Sequence, residues 1–224
     1  VLYIFFYNIQ IMFFSISCFA YAGEKIAIVT KIIGKAEYIR GQNSSKTLNK
    51  GLIIESGDVI STFKGGFVAL IFIDDKSALK IKEKTKITVN GKKGSRKISK
   101  KINLTNGTVR AQVEKNKDFI IQTSVSVASV KGTDFWVISD KKIGDSVIGL
   151  QGTVSLSNRI SGEKIDISAG ITGISSTNGS LQSFKSDPKN TPIDLDQSDK
   201  EDKKLEIIFK DSAGKKKKLI IDYK

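Results

Sequence analysis

Short apolar stretches in which every second residue is polar recur along residues 23–182, and glycines separate them. The segment KIAIVTKIIGKAEYIR at 25–40 holds two such stretches on either side of Gly34, and GLIIESGDVISTFKGGFVALIFIDD at 51–75 holds three more. Side chains alternate between the two faces of a β-strand, so this period of two predicts strands with one buried face. Strands of about five residues at such regular intervals indicate an all-β fold, as a sandwich, a roll or a twisted solenoid.

One valine-rich stretch, VASVKGTDFWV at 127–137, carries a glycine near its centre. Gly132 weakens a strand interior, so we expect its missing Cβ to admit a neighbouring backbone or a β-bulge. Phe135 and Trp136 are adjacent, so they must face opposite sides of a strand, one in the core and the other outward at a groove or interface. A bulge at Gly132 would exchange the two faces beyond it. Trp136 is therefore a candidate partner contact, with simple packing as the alternative.

The first 22 residues, VLYIFFYNIQIMFFSISCFAYA, contain no charged side chain and end in Ala20-Tyr21-Ala22. A small residue on either side of Tyr21 is typical of a signal-peptidase site, which predicts a signal peptide cleaved before Gly23. An uncleaved N-terminal membrane anchor is the alternative, because about 20 apolar residues suffice to span a bilayer. Either outcome predicts an exported protein that is periplasmic, associated with the cell envelope or extracellular.

Beyond residue 182 the composition changes. Residues 183–204 combine both prolines with dense mixed charge and few apolar side chains, which predicts a charged linker. Residues 205–224 hold two apolar runs around DSAGKKKK, which favours a β-hairpin. An isolated hairpin is marginally stable, so we expect this one to dock on the body or on a partner.

Missing residue types exclude several kinds of chemistry. The chain has no His and a single Cys, Cys18, which removes imidazole bases, paired thiolates and the usual zinc ligands. Asp74 and Asp75 lie at a predicted turn, where Asp is common for local hydrogen bonding rather than catalysis. The run DLDQSD at 194–199 resembles a calcium loop but has Asp199 where an EF-hand needs Gly. We therefore predict no enzyme activity, no cofactor and no metal site.

Positive charge is concentrated in one part of the body. The whole chain has a formal net charge of +14, and residues 76–101 contain 11 Lys or Arg against one acid, Glu83. A basic loop predicted at 91–101 would attract anionic polysaccharide or lipid, although a merely solvated face is the plainer alternative. Interleaved aromatic residues are missing from it, so nucleic acid is not expected as a partner. The candidate contacts for a partner or polyanion are Trp136, Lys92, Lys93, Arg96, Lys97, Lys100 and Lys101.

Seven fragments in a fixed order resemble the FecR domain of exported bacterial proteins. They are GDVIST at 57–62, FVALIF at 67–72 followed by DD at 74–75, SALKI at 77–81, LTNGTV at 104–109, FIIQT at 119–123, VKGTDF at 130–135 and GLQGTVSL at 149–156. Each fragment is weak alone, but together they extend over about a hundred residues in the family's order. The resemblance implies an all-β, twisted solenoid-like body for residues 23–182.

The family's best-known members regulate an extracytoplasmic sigma factor through a cytosolic segment that precedes a membrane span. We expect this chain to depart from that plan and to act as a stand-alone exported FecR-domain protein. The predicted function is non-enzymatic binding or regulation in the cell envelope, in signalling, with a protein or envelope polysaccharide or lipid as the partner. The alternative is an envelope structural protein held at an anionic surface by its basic region. Membrane contact is expected only through residues 1–22, if they are uncleaved.

Overall fold

The computed structural model of the protein describes residues 23–94, 98–115, 118–196, 203–210 and 216–223. The predicted signal peptide or anchor at 1–22 lies outside the described residues. The strands are β1 (Lys25–Ile33), β2 (Ala36–Ile39), β3 (Lys46–Thr47), β4 (Ile53–Glu55), β5 (Asp58–Thr62), β6 (Phe67–Phe72), β7 (Ala78–Ile81), β8 (Lys86–Lys93), β9 (Ile98–Gln112), β10 (Asp118–Gln122), β11 (Ser126–Lys131), β12 (Asp134–Asp140), β13 (Gly144–Gln151), β14 (Thr153–Asn158), β15 (Lys164–Ser168), β16 (Ile171–Ser176), β17 (Leu181–Lys185), β18 (Lys203–Lys210) and β19 (Lys216–Tyr223). The predicted all-β class is confirmed.

Seventeen strands pair into one continuous mixed sheet, and β9 is where this sheet folds into two layers. The front layer has the order β4-β1-β6-β7-β9-β12-β13-β16-β17. The back layer has the order β3-β2-β5-β8-β9-β10-β11-β14-β15. Successive hairpins alternate between the layers, so the chain winds around its core as the predicted solenoid-like body does.

Strand β9 belongs to both layers because Gly107 lets it bend. Residues up to Asn106 pair with β8 in the back layer, whereas residues from Gly107 onward pair with β12 in the front layer. Gly107 has φ +103°, and a Cβ there would lie 2.6 Å from the Cα of Thr85. Only glycine combines this backbone conformation with so close a neighbour.

A single hydrophobic cluster fills the space between the layers, drawing on alternate residues of nearly every strand. Phe72 of the front layer meets Phe119 of the back layer edge to face, with ring centroids 5.5 Å apart. This geometry suits the quadrupoles of two aromatic rings and adds to the area they bury. The core is therefore continuous through the body.

Gly132 and Thr133 lie at the corner where the chain passes from β11 in the back layer to β12 in the front layer. Gly132 has φ +91°, and a Cβ there would approach the Cα of Lys115 to 2.6 Å. The expected close approach of a neighbouring backbone is confirmed, although the stretch is two strands rather than one. Ala128 precedes the corner and Phe135 follows it, and both join the core, so the inward-facing positions change from even to odd numbers.

The prediction of a basic loop at 91–101 is wrong, because β8 continues to Lys93 and β9 begins at Ile98. Ile98, Ile102 and Leu104 face the core with the period of a strand, which draws their neighbours into the back layer. In the tail, residues 183–185 belong to β17, and a short 3-10 turn follows at Pro188–Asn190. The predicted hairpin corresponds to β18 and β19, paired from Lys203–Tyr223 to Lys210–Lys216.

Candidate functional site

A line of eight residues crosses the outer face of the front layer, one from each of eight neighbouring strands. We call it the outer row. Core residues such as Leu79, Val109 and Phe135 directly precede its members on their strands, so alternation turns the row away from the core. In order across the layer it comprises Lys31, Ala69, Lys80, Arg110, Trp136, Ile148, Thr172 and Phe184.

Residues 186–196, which we call the strap, follow β17 and run back along the outer row. At one end the hydroxyls of Ser186 and Thr172 are 2.8 Å apart, and at the other Asp196 lies 3.8 Å from the ammonium of Lys31. The six inter-strand spacings between β16 and β1 amount to roughly 29 Å. Ten residues reach about 33 Å when fully extended, and the 3-10 turn at Pro188–Asn190 shortens this reach, so the strap crosses with little slack.

Asp194 is the residue of the strap that enters the site most deeply, with 9% of its surface exposed. Its Oδ2 accepts hydrogen bonds from Lys80 Nζ at 2.8 Å and from Arg110 Nη1 at 2.5 Å. Arg110 also donates two hydrogen bonds to Asp134, at 2.8 and 2.7 Å. Two cations and two carboxylates thus share one buried network, which is the geometry that lets buried charges persist.

Both kinds of charge in this network are stabilised. The hydrogen bonds to Asp134 lead the contributions that raise the pKa of the Arg110 guanidinium above its usual value. Burial disfavours ionisation of Asp194, but the hydrogen bonds led by that from Lys80 outweigh it and hold the pKa of this carboxyl below its usual value of 3.8. Arg110 and Asp194 are therefore both charged at neutral pH.

Further contacts extend the site on both sides of Asp194. Lys80 Nζ lies 3.1 Å from a second strap carboxylate, Asp196, and Lys82 Nζ donates to the backbone carbonyl of Ile193 at 3.1 Å. The ring of Trp136 lies beneath two cations, with Lys82 Nζ 5.9 Å and Arg110 Cζ 5.7 Å from its centroid. Such cation–π contacts add to the attraction when the cation is partly desolvated.

Trp136 occupies the centre of this site. The prediction that Phe135 and Trp136 face opposite sides is confirmed, since Phe135 belongs to the core cluster and Trp136 does not. Trp136 is nevertheless only 1% exposed, because Arg110 and Lys82 cover it. As a partner contact Trp136 stays a prediction, and reaching it requires that these cations move.

The predicted basic contacts separate into different environments. Lys92 and Lys101 are exposed on the neighbouring strands β8 and β9. The side chain of Lys93 and the whole of Arg96 and Lys97 lie outside the described residues. Lys100 is only 2% exposed, because it shares the core-facing side of β9 with Ile98 and Ile102. Lys100 is thus not presented at the surface as a polyanion contact would need to be.

The carboxylates at the predicted turn explain how Lys100 is buried. Its Nζ lies 2.9 Å from Asp74 and 2.5 Å from Asp75, both in the turn between β6 and β7. The ring of Phe72 lies 5.4 Å from the same ammonium. Asp74 and Asp75 therefore serve as structural partners of a buried cation.

An open groove of about 580 Å³ lies at one end of the front layer. Its basic lining comes from Lys82, Lys84, Lys141 and Lys142, and Glu83 and Asp140 line it too. Lys141 also borders a neighbouring groove that includes Lys101. An anionic chain would meet more cations than carboxylates here.

Within the described part of the chain, no group of three or more His, Cys, Asp or Glu side chains is arranged to hold a metal ion. Among the same residues, no helix has the length and hydrophobicity needed to cross a bilayer.

Sequence reasoning missed five residues of the site: Lys31, Lys80, Arg110, Asp134 and Asp194. A signal existed for Lys80 and Arg110, because each follows a core residue in an apolar strand and so takes the outer face. No local signal linked them to Asp194, which is 114 residues from Lys80 in the chain.

Comparison with known proteins identifies a family that matches part of the sequence. Residues 58–155 match the family model described as FecR protein. The matched range includes Lys80, Arg110 and Trp136 but not the strap. No curated protein matched the chain.

Two crystal structures of a proposed anti-sigma factor from Parabacteroides distasonis ATCC 8503 are similar to parts of this chain. The first is 18% identical with a TM-score of 0.49, covering 58% of this chain and 61% of that one. The second is 16% identical with a TM-score of 0.37, covering 57% of this chain and 55% of that one. This chain thus matches about three fifths of the length of the first structure and less of the second. From the family match, residues 58–155 of this protein form a FecR domain.

Proposed function

We propose that the protein is exported and acts in the cell envelope as a non-enzymatic binding and regulatory module that captures a protein partner, in signalling. The FecR domain supports a regulatory role. The observation that carries the proposal is that the outer row already holds a separate stretch of polypeptide by buried ion pairs, outside the core. A surface that binds one peptide segment has the geometry to bind another.

Binding through this surface is consistent with how the rest of the chain is used. The core-facing residues pack against one another, and Lys100 forms ion pairs with Asp74 and Asp75. The row of Lys80, Arg110 and Trp136 instead faces outward from a rigid sheet and meets a segment that lies outside the FecR match. Recognition sites built on rigid strands lose little entropy when they bind.

The proposal is tested by site-specific photo-crosslinking in intact cells. A photoreactive residue at Ile193, which is 73% exposed beside the outer row, should give a defined cross-linked protein. The matched control carries the photoreactive residue in place of Ser155 instead. Ser155 is exposed on the back layer, so this control should not give the cross-linked product. Equal products at both positions, or recovery of glycan and lipid alone, would overturn the proposal.

Export is tested separately by measuring where the chain resides and where it begins. We expect the tagged protein in the envelope fraction, with an intact mass that corresponds to a first residue of Gly23. An uncleaved chain in the membrane fraction would instead support an anchor at residues 1–22. Recovery in the cytosol with residues 1–22 attached would exclude export.

A second candidate function is attachment to anionic polysaccharide or lipid, as an envelope structural protein. The observation that favours it is the open groove lined by Lys82, Lys84, Lys141 and Lys142, beside the exposed Lys101. Replacing Lys84, Lys101, Lys141 and Lys142 with Gln should release the protein from the envelope if this function is correct. The same variant should keep its cross-link at Ile193 if protein capture is correct.

A further inference from the structure

We propose that the outer row between Lys31 and Trp136 is a binding site for an acidic peptide of a partner protein, with two aspartates spaced Asp-x-Asp, and that the strap is its built-in competitor. This inference rests on the proposed function and specifies the chemistry of the partner.

Charge balance at the row explains why the ligand should be acidic. Asp134 of the body pairs with Arg110, whereas Lys80 takes both of its carboxylates, Asp194 and Asp196, from the strap. If the strap leaves, the site loses two negative charges and keeps its cations beside a low-dielectric sheet. Buried or half-buried cations left in this way strongly favour a replacement carboxylate.

The spacing of the contacts explains why the ligand should be a peptide rather than a small anion. Asp194 and Asp196 both reach Lys80, because a turn in which the Asp196 N–H donates to Asp194 Oδ1 at 3.0 Å turns the two carboxylates toward it. Lys82 also binds a backbone carbonyl, that of Ile193. Two carboxylates and one backbone carbonyl from four consecutive residues match a peptide and not a free anion.

The way the strap is held makes it replaceable. Its contacts at this end of the row are hydrogen bonds and ion pairs, and its apolar Ile193 is 73% exposed. The strap residues have no place in the hydrophobic core cluster that joins the two layers. A segment held by polar contacts can detach while the core stays folded.

Being part of the same chain gives the strap an advantage over a free peptide. A tethered segment competes at an effective concentration in the millimolar range for a short linker. A partner peptide must therefore bind more tightly than the strap, or be presented at high local concentration, before it gains the site. Occupancy of the outer row would then report the presence of the partner.

The test measures binding of a peptide to the full chain in detergent by fluorescence anisotropy. The peptide is Thr-Pro-Ile-Asp-Leu-Asp-Gln, labelled with fluorescein and capped at its ends. The strap variant D194N/D196N should bind this peptide at least about tenfold more tightly than the unmodified chain, because the competitor is weakened. The matched control peptide, with Asn in place of both Asp residues, should bind neither protein. Adding Lys80→Met to the strap variant should abolish binding.

The emission of Trp136 supplies a second measurement, because it is the chain's only Trp and lies in the site. Peptide binding to the strap variant should shift this emission, and the shift should be absent with the control peptide. If the strap variant fails to fold, hydrogen exchange on the unmodified chain replaces the binding comparison. Excess acidic peptide should then increase exchange of strap amides in the unmodified chain, with core amides unchanged.

The inference would be overturned if the acidic peptide bound the two proteins with equal affinity, or bound neither. It would also be overturned if the Asn peptide bound, or if dextran sulfate displaced the labelled peptide as effectively as unlabelled acidic peptide does. A cross-linked partner at Ile193 together with any of these results would leave the proposed function standing and remove only the acidic peptide. If the acidic peptide bound as expected but no protein were cross-linked in cells, the peptide site would stand and the proposed function would fall.

Discussion

Two lysines of this protein are buried beside pairs of aspartates, but one is buried within the core of the fold and the other by a separate segment that lies on its outer face. Lys100 lies on the core-facing side of β9, and its partners Asp74 and Asp75 belong to the same FecR domain. Lys80 lies on the outer face of β7, and its partners Asp194 and Asp196 come from the strap, outside that domain. Burial by the core makes the first site permanent, whereas burial by a separate segment makes the second conditional.

This difference indicates where function can reside. Opening the Lys100 site means separating the turn between β6 and β7 from the back layer, so it disrupts the core around Phe72. Opening the Lys80 site means lifting one segment off an intact sheet. Elements that move in binding and regulation come from the least stable parts of a structure. The strap meets that description and the Lys100 site does not.

The largest effect is expected for Lys100→Met. It leaves Asp74 and Asp75 close together without their cation, and breaking a buried pair in this way costs about 3–5 kcal/mol. Urea denaturation should show this loss in the free energy of unfolding of the whole body. Lys101→Met, on the exposed neighbour, should change it by less than about 0.5 kcal/mol. Similar values for both variants would contradict a permanent site at Lys100.

A smaller effect is expected for the matched substitution Lys80→Met. Asp194 and Asp196 can return to water when the strap detaches, so the cost is limited to strap docking, about 1–2 kcal/mol. Hydrogen exchange should be faster at residues 191–196 and unchanged in β9 and β12. A loss of global stability as large as that of Lys100→Met would show that the two sites are equivalent.

Acid should weaken strap docking by an intermediate amount through Asp194. Its pKa in the folded chain lies below the usual 3.8, so its stabilising effect is complete above that value and is lost as the pH falls through the lowered pKa. Strap amides should exchange faster, relative to core amides, as the pH is lowered below about 3.8. Asp194→Asn should remove this step in the relative rates, and a step that persists would show that Asp194 is not its source.

The smallest effect is expected for Asp196→Asn. Asp196 lies 3.1 Å from Lys80 Nζ and 3.8 Å from Lys31 Nζ, and its side chain is 35% exposed, so salt screens both pairs. The variant should reduce strap protection by less than about 1 kcal/mol, and most of this difference should vanish in 1 M NaCl. The matched Asp194→Asn should retain a larger loss in the same salt. Equal losses for the two variants would contradict the central role of Asp194.

Parts of both sites could be predicted from the sequence, and parts could not. Opposite faces for Phe135 and Trp136 follow from adjacency in a strand, and the corner at Gly132 follows from a glycine where a strand should have none. Lys100 follows the apolar alternation of Ile98 and Ile102, a signal that the density of neighbouring lysines obscured. The position of Asp194 had no such signal, because it lies in a polar segment without periodicity.

By itself the sequence determined most of the strands and which side chains of a strand share a face, since a period of two residues fixes both locally. Only the tertiary structure decided that Lys31, Lys80, Arg110 and Trp136 stand in one row, because strand register depends on pairings between distant segments. It also decided that Asp194 covers that row. Ion pairing across 114 residues needs a folded sheet on which the strap can lie.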